Sequence, residues 1–300
     1  VNRTRALLLV TAVPLLIVLG VLVSAALGGG GEPSSPSRAP AAGSTTGPAG
    51  GTAGTTGGTD GTRAPATNAP RAGRWLVAGA ERIDVGSGAR GAAIFRPRDA
   101  RPKQPVVVFL HGWLAVDPAL YGPWIAHLVH GGATVIYPSY QEAPFLDTVS
   151  PLPNTLVALR LAFEQVKVAP GRLVVAGHSA GGALAADYAA SARAAGLPAP
   201  AAVFSVYPGR SLRGISLRIP TVSARHIAAG TRVLALAGAD DRVVGSRVAR
   251  TIARTATRAR ATLRIVRDRR VDDHGAPQRF GAASRLVFWA PLDRLIAATR

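Results

Sequence analysis

The sequence predicts an α/β fold, a sheet flanked by helices, over residues 74–300. Three observations predict it. From residue 74 onward, short β-branched runs alternate with stretches of helical periodicity, the pattern of a sheet covered by helices. The run 106–110, Val-Val-Val-Phe-Leu, is apolar without interruption, as a central strand buried on both faces requires. An apolar run at 172–176 also leads directly into Gly177-His178-Ser179-Ala180-Gly181, and small helix-forming residues follow it. About 225 residues in this arrangement suffice for one well-buried domain.

Taken in order, strands are expected at 75–77, 81–85, 92–95, 106–110 and 133–137, with a helix over 121–129 between the last two. Leu156, Leu159, Phe163 and Val166 recur at helical spacing after Asn154, a side chain suited to capping a helix start. A strand at 173–176 precedes Ser179, and a helix over 179–195 follows it. Strands at 201–206, 233–237 and 262–266 come next, with a helix over 242–258 between the last two. A helix over 291–299 closes the chain.

The first 73 residues read differently. Arg3 and Arg5 precede an uncharged, almost wholly apolar run, 6–27, whose 22 residues would reach about 33 Å as a helix. That is enough to span a bilayer core. The same polarity belongs to a signal peptide, with Ser24-Ala25-Ala26 as a small-residue cleavage site. Residues 1–27 are therefore expected to be a transmembrane anchor or a signal peptide, and both would export the rest of the chain. Residues 28–73 are Gly, Ser, Thr, Pro and Ala with almost no large apolar side chain, and are expected to be a disordered linker.

Composition narrows the chemistry. Without cysteine there is no disulfide framework, thiol nucleophile or acylated cysteine. The net charge of +19 is carried almost entirely by arginine and would favour an anionic envelope surface. No basic run is interleaved with aromatics, so a specific nucleic-acid groove is not expected. Arg247, Arg250, Arg254 and Arg258 recur at helical spacing and read first as a solvated face. His127, His130 and His226 have no metal-ligand spacing, and no metal or cofactor is expected.

The strand, the G-x-S-x-G turn and the following helix form a nucleophile elbow, in which a sharp turn presents the hydroxyl of Ser179 at the end of a sheet. A serine hydroxyl needs a base to accept its proton, and the base needs an acceptor that holds its tautomer. In elbow proteins the chain order is Ser, then Asp or Glu, then His. Asp241 follows the 233–237 strand in Gly238-Ala-Asp-Asp-Arg-Val-Val244 and is the expected acid, with Asp240 as the alternative. His274 is the one histidine downstream of it and is the expected base. Asp272 and Asp273 are expected on the loop surface beside it. Developing negative charge on a substrate oxygen needs aimed donors. The backbone N–H of Ala180 is one candidate. The N–H of Trp113, in His111-Gly112-Trp113 after the 106–110 strand, is the other. His111 and His178 read as structural.

With these residues in hand the chain resembles the α/β-hydrolase superfamily over residues 75–300. The resemblance implies a mostly parallel eight-stranded sheet with a serine-nucleophile site at the strands' C-terminal edge. A serine at the elbow argues against the superfamily's dehalogenases and epoxide hydrolases, and His-Gly-Trp departs from the His-Gly-Gly-Gly of hormone-sensitive-lipase relatives. The layout is more similar to the dienelactone-hydrolase, chlorophyllase and cutinase-like members. Residues 208–230 are too short for a large cap domain, and Trp113 with the 139–151 loop (Tyr140, Glu142, Phe145) is expected to shape the cleft. The implied activity is hydrolysis of carboxylic esters, with thioesters or lactones as variants. Alternatives are cofactor-free haloperoxidase or acyltransferase chemistry, or a non-catalytic envelope-binding protein of the same fold.

Overall fold

The apolar runs form the middle of one eight-stranded sheet in the computed structural model, which describes residues 75–211 and 218–299. The strands are β1 (Ala80–Val85), β2 (Ala92–Pro97), β3 (Val106–Leu110), β4 (Thr134–Pro138), β5 (Leu173–His178), β6 (Ala202–Val206), β7 (Arg232–Gly238) and β8 (Arg260–Val266). Their spatial order is β1-β2-β4-β3-β5-β6-β7-β8. β2 lies antiparallel between β1 and β4, and all other neighbours are parallel. Every residue of β3, β4, β5 and β6 is buried, the outcome of helices on both faces.

The strand period of two sorts β3 between two cores. Val107 and Phe109 join Trp124 and Leu128 of α1 (Gly122–His130), while Val106, Val108 and Leu110 join Leu159 of α2 (Pro151–Gln165) and Leu184 of α3 (Ala180–Ser191). A short α4 (Arg247–Thr255) packs on β7 and β8 through Ala249, Leu263 and Ile265. The last helix, α5 (Ala290–Ala297), is entered through a π-helical turn, Arg285–Trp289, that the periodicity does not reveal. Trp289 there stacks on Trp124 at 6.5 Å.

Several elements differ from expectation for local reasons. Residues 75–77 form no strand. A turn closed by Ala80 N–H to Val77 C=O, with Gly79 at φ 75°, separates them from β1, and Trp75 packs edge-on against Phe95. α4 begins five residues late, because Asp241 engages the N–H groups of Val243 and Val244 and Gly245 turns the chain at φ 66°. It also ends before Arg258.

The membrane-spanning helix is corrected. Among the described residues no helix is long and apolar enough to cross a membrane. The longest, α2, has 15 residues and reaches about 22 Å, short of a bilayer core. The segments 1–27 and 28–73 themselves lie outside the described residues. Between β6 and β7 the described residues hold only a single turn of 3-10 helix, Ala224–His226, so no large cap is inserted over the sheet edge.

Candidate active site

Ser179 stands between β5 and α3 at φ 57°, ψ −122°, a conformation that costs a non-glycine residue about 1–3 kcal/mol. Bonds on both sides hold it. Its N–H donates to Val206 C=O at 3.0 Å, and its C=O accepts from Ala183 N–H at 3.2 Å and Gly209 N–H at 3.0 Å. The surrounding glycines are there because nothing larger fits. A Cβ on Gly181 would lie 2.1 Å from the Leu110 carbonyl oxygen and 2.3 Å from that of His111, and one on Gly177 would lie 2.3 Å from the oxygen of Gly181.

The loops after β7 and β8 bring two more side chains to this turn. His274 Nε2 lies 2.9 Å from Ser179 Oγ, and His274 Nδ1 lies 2.8 Å from Asp241 Oδ2. Because a carboxylate only accepts, Nδ1 carries the ring proton and Nε2 presents its lone pair to the serine hydroxyl. The other oxygen, Asp241 Oδ1, accepts from the N–H groups of Val243 and Val244, each at 3.0 Å. Burial opposes ionisation of Asp241, but the His274 N–H and the two loop N–H groups outweigh it and hold the carboxyl below its ordinary value. The network matches a Ser-His-Asp hydrolase triad.

Asp240 is not part of it. Its side chain is 57 % exposed and pairs with Arg242 at 2.9 Å. Of the two aspartates before His274, Asp273 pairs with Arg279 and accepts from Gly275 N–H at 3.0 Å, which braces the loop. Asp272 is buried rather than on the loop surface, its carbonyl packed where only Gly238 leaves room.

The turn after β3 lies against the nucleophile: a Cβ on Gly112 would be 3.5 Å from that of Ser179. Most N–H groups around the serine are engaged. Gly112 N–H donates to the Tyr121 oxygen at 3.0 Å, Leu114 N–H to Gln141 Oε1 at 3.1 Å, and Gly181 N–H to His111 C=O at 2.9 Å. The N–H groups of Trp113 and of Ala180, the first residue of α3, have no hydrogen-bond partner among the described residues. Both lie on the segments beside Ser179.

His111 is fully buried, its ring nitrogens 2.6 Å from Gly112 O and 2.7 Å from Ser139 O, and burial lowers its pKa to about 4. Its ring stacks on Tyr140 at 4.1 Å, and the Tyr140 hydroxyl donates to His111 C=O. Tyr140 is therefore wall, not cleft, since packing under the turn has consumed both its ring and its hydroxyl. Glu142 is likewise occupied, accepting from Ala89 N–H. Phe145 is half-buried, and the exposed large hydrophobic side chains of that loop are Leu146 and Val149. Tyr121 and Gln141 carry no sequence signal. Nothing local marks them, because their partners lie 57 and 27 residues away.

A family profile described by the alpha/beta hydrolase fold matches residues 107–259. Among solved structures, a thermostable esterase from Pseudomonas putida ECU1011 aligns with a TM-score of 0.54 at 21 % identity, covering 75 % of this chain and 83 % of its own. Carboxyl esterase 2 from the mycorrhizal fungus Tuber melanosporum aligns at 0.59 and 17 %, covering 74 % and 88 %. A candidate dienelactone hydrolase from Klebsiella pneumoniae aligns at 0.53 and 20 %, covering 72 % and 99 %. At these identities the likeness is one of fold. No curated protein matches the sequence.

Proposed function

Since the chain belongs to the α/β-hydrolase fold family, whose profile spans residues 107–259, we propose that it is a serine hydrolase of carboxylic esters working through an acyl-enzyme. Ser179 Oγ attacks the carbonyl carbon while His274 Nε2 takes its proton, and Asp241 stabilises the imidazolium that forms. The oxyanion draws on the unengaged N–H groups of Trp113 and Ala180. Collapse of the tetrahedral intermediate breaks the C–O bond to the alcohol, which leaves with the proton held by His274. Water then attacks the acyl-enzyme with the same base, and Ser179 is regenerated as the carboxylic acid departs.

The observation that carries this reading is the unbroken bond chain Asp241–His274–Ser179, with contacts of 2.8 and 2.9 Å at a strained elbow. A binding module would have no use for that strain and three ordered partners together. The esterase names of the structural relatives favour esters over other acyl substrates.

The test is turnover of a p-nitrophenyl ester series by the full chain beside Ser179→Ala. Wild-type hydrolysis should fall by about 10⁴-fold or more in the variant, with its circular dichroism unchanged. Equal background rates in the two proteins would sink the reading. Addition of competing alcohols separates hydrolysis from acyl transfer.

Two features support a further part of the proposal, that the domain acts outside the cytoplasm against an anionic envelope surface. One is the arginine-flanked apolar run 6–27. The other is the stretch 242–267, with eight arginines and no acidic residue. All eight are exposed, and among the described residues only Arg242 of the eight has an acidic partner.

A further inference from the structure

His178 precedes the nucleophile and does not touch the reacting atoms, yet it is bonded to both halves of the site. Its Nε2 lies 3.0 Å from the His274 carbonyl oxygen, and its Nδ1 lies 2.8 Å from the Tyr121 hydroxyl oxygen. A carbonyl can only accept, so Nε2 carries the proton and Nδ1 the lone pair. The Tyr121 O–H must then donate to Nδ1, which leaves its oxygen to accept the Gly112 N–H at 3.0 Å. Every hydrogen in the relay is thereby assigned. Gly112 N–H donates to Tyr121, Tyr121 O–H to His178, and His178 Nε2–H to the backbone of His274.

Both side chains are buried and neutral. Burial, with His274 close by, lowers the His178 pKa to about 3, and burial raises the Tyr121 phenol above its ordinary value. The relay ties together segments distant in the chain: the turn after β3, the residue before α1, the end of β5 and the loop after β8. It leaves the Trp113 N–H, one residue beyond Gly112, outside the network.

We propose that His178 and Tyr121 are positioning residues whose relay sets the His274 loop and the Gly112–Trp113 turn at a fixed spacing across Ser179. The base and the oxyanion donor are thus aligned before substrate arrives, an inference that rests on the ester-hydrolase reading. The relay touches neither acyl nor alcohol group, so it acts on the transition state and not on substrate binding.

The experiment uses the full chain carrying Tyr121→Phe, His178→Leu, both together, and His178→Gln. Tyr121→Phe keeps the ring that packs on Phe109 at 5.0 Å and removes only the hydroxyl. Assays run well below each variant's melting temperature.

The kcat for a p-nitrophenyl ester should fall by about 10- to 100-fold in each of the first two, with KM changed by no more than about twofold. Affinity for a trifluoromethyl ketone, a mimic of the oxyanion, should fall in proportion to kcat/KM. The double variant should be no worse than His178→Leu alone, because both break one chain of bonds. His178→Gln, which retains an N–H donor toward His274, should recover part of the loss. The ¹⁵N resonance of His178 Nδ1 should shift in Tyr121→Phe while Nε2 stays protonated.

Variants that melt earlier but keep wild-type kcat would overturn the proposal, as would single-variant losses that multiply in the double variant. A proton on His178 Nδ1 would overturn it too. Should the wild type hydrolyse no ester, the ester reading falls, and the ¹⁵N signature still decides the relay.

Discussion

Ser179 sits where no helix or strand would place it, and its neighbours show what that position costs. At Gly181 an added methyl meets backbone oxygens that cannot yield, so Gly181→Ala should destabilise the fold by at least about 3 kcal/mol in urea unfolding. Gly196, at φ 66° in open space, is the control, and alanine there should cost only about 1 kcal/mol. A result placing the two on a par would refute the steric account of the elbow. The buried imidazoles lead to a second expectation. His111 and His178 have folded pKa values of about 4 and about 3, below the ordinary 6.5. The unfolded chain therefore takes up protons first as pH falls. Stability is lost from about pH 6.5 downward, by up to about 1.4 kcal/mol per pH unit for each of the two. Unfolding free energies measured across pH 4 to 7 should show this slope, and His178→Gln should remove about one proton's worth of it. Ser179, Asp241 and His274 were legible in the sequence because each follows a recognisable strand in the required order. The sequence favours Asp241 but keeps Asp240 as the alternative. What separates them is that one carboxylate turns inward to His274 and the loop N–H groups, the other outward to Arg242.

At the scale of elements, the strands of the sheet centre were legible almost to the residue, because burial on both faces leaves an unbroken apolar run. The helix before β8 was not, since Asp241 withdraws two N–H groups that periodicity would assign to it. A similar long-range claim holds the segment after β6. Asp187 of α3 meets both terminal nitrogens of Arg210 at 2.7 Å and accepts from Val222 N–H, while Arg210 also donates to Pro220 C=O. Burial raises the Asp187 carboxyl above its ordinary value even with Arg210 beside it. Arg210→Ala would strand that buried carboxyl and should cost about 3–5 kcal/mol in urea unfolding, with part recovered in Arg210→Ala/Asp187→Ala. A cost under about 1 kcal/mol would mean the pair does not anchor this segment to α3.

The molecule as a whole carries a net charge of +19, and α4 with the edge strand β8 carries five arginines and no acidic residue. The proposed envelope contact makes a salt-dependent expectation. The full chain should sediment with phosphatidylglycerol vesicles at low ionic strength, and far less at about 0.5 M salt, where screening shortens to a few ångströms. Arg250→Glu with Arg254→Glu should weaken that binding, and unchanged sedimentation would remove the contact. Residues from Trp75 onward form one unit, and expressed alone they should melt as the full chain does. Alternation of apolar and helical runs sufficed to declare the α/β class, and the ordered serine, acid and histidine sufficed to declare the chemistry, because both are written in local pattern and chain order. Folding was needed to decide which groups are spent and which are free. Tyr140 is consumed by His111, Gly112 N–H by Tyr121 and Asp240 by Arg242, and the N–H groups of Trp113 and Ala180 are left open. Hydrogen bonds between residues dozens of positions apart leave no periodic trace in the chain, so only their closure in space reveals them.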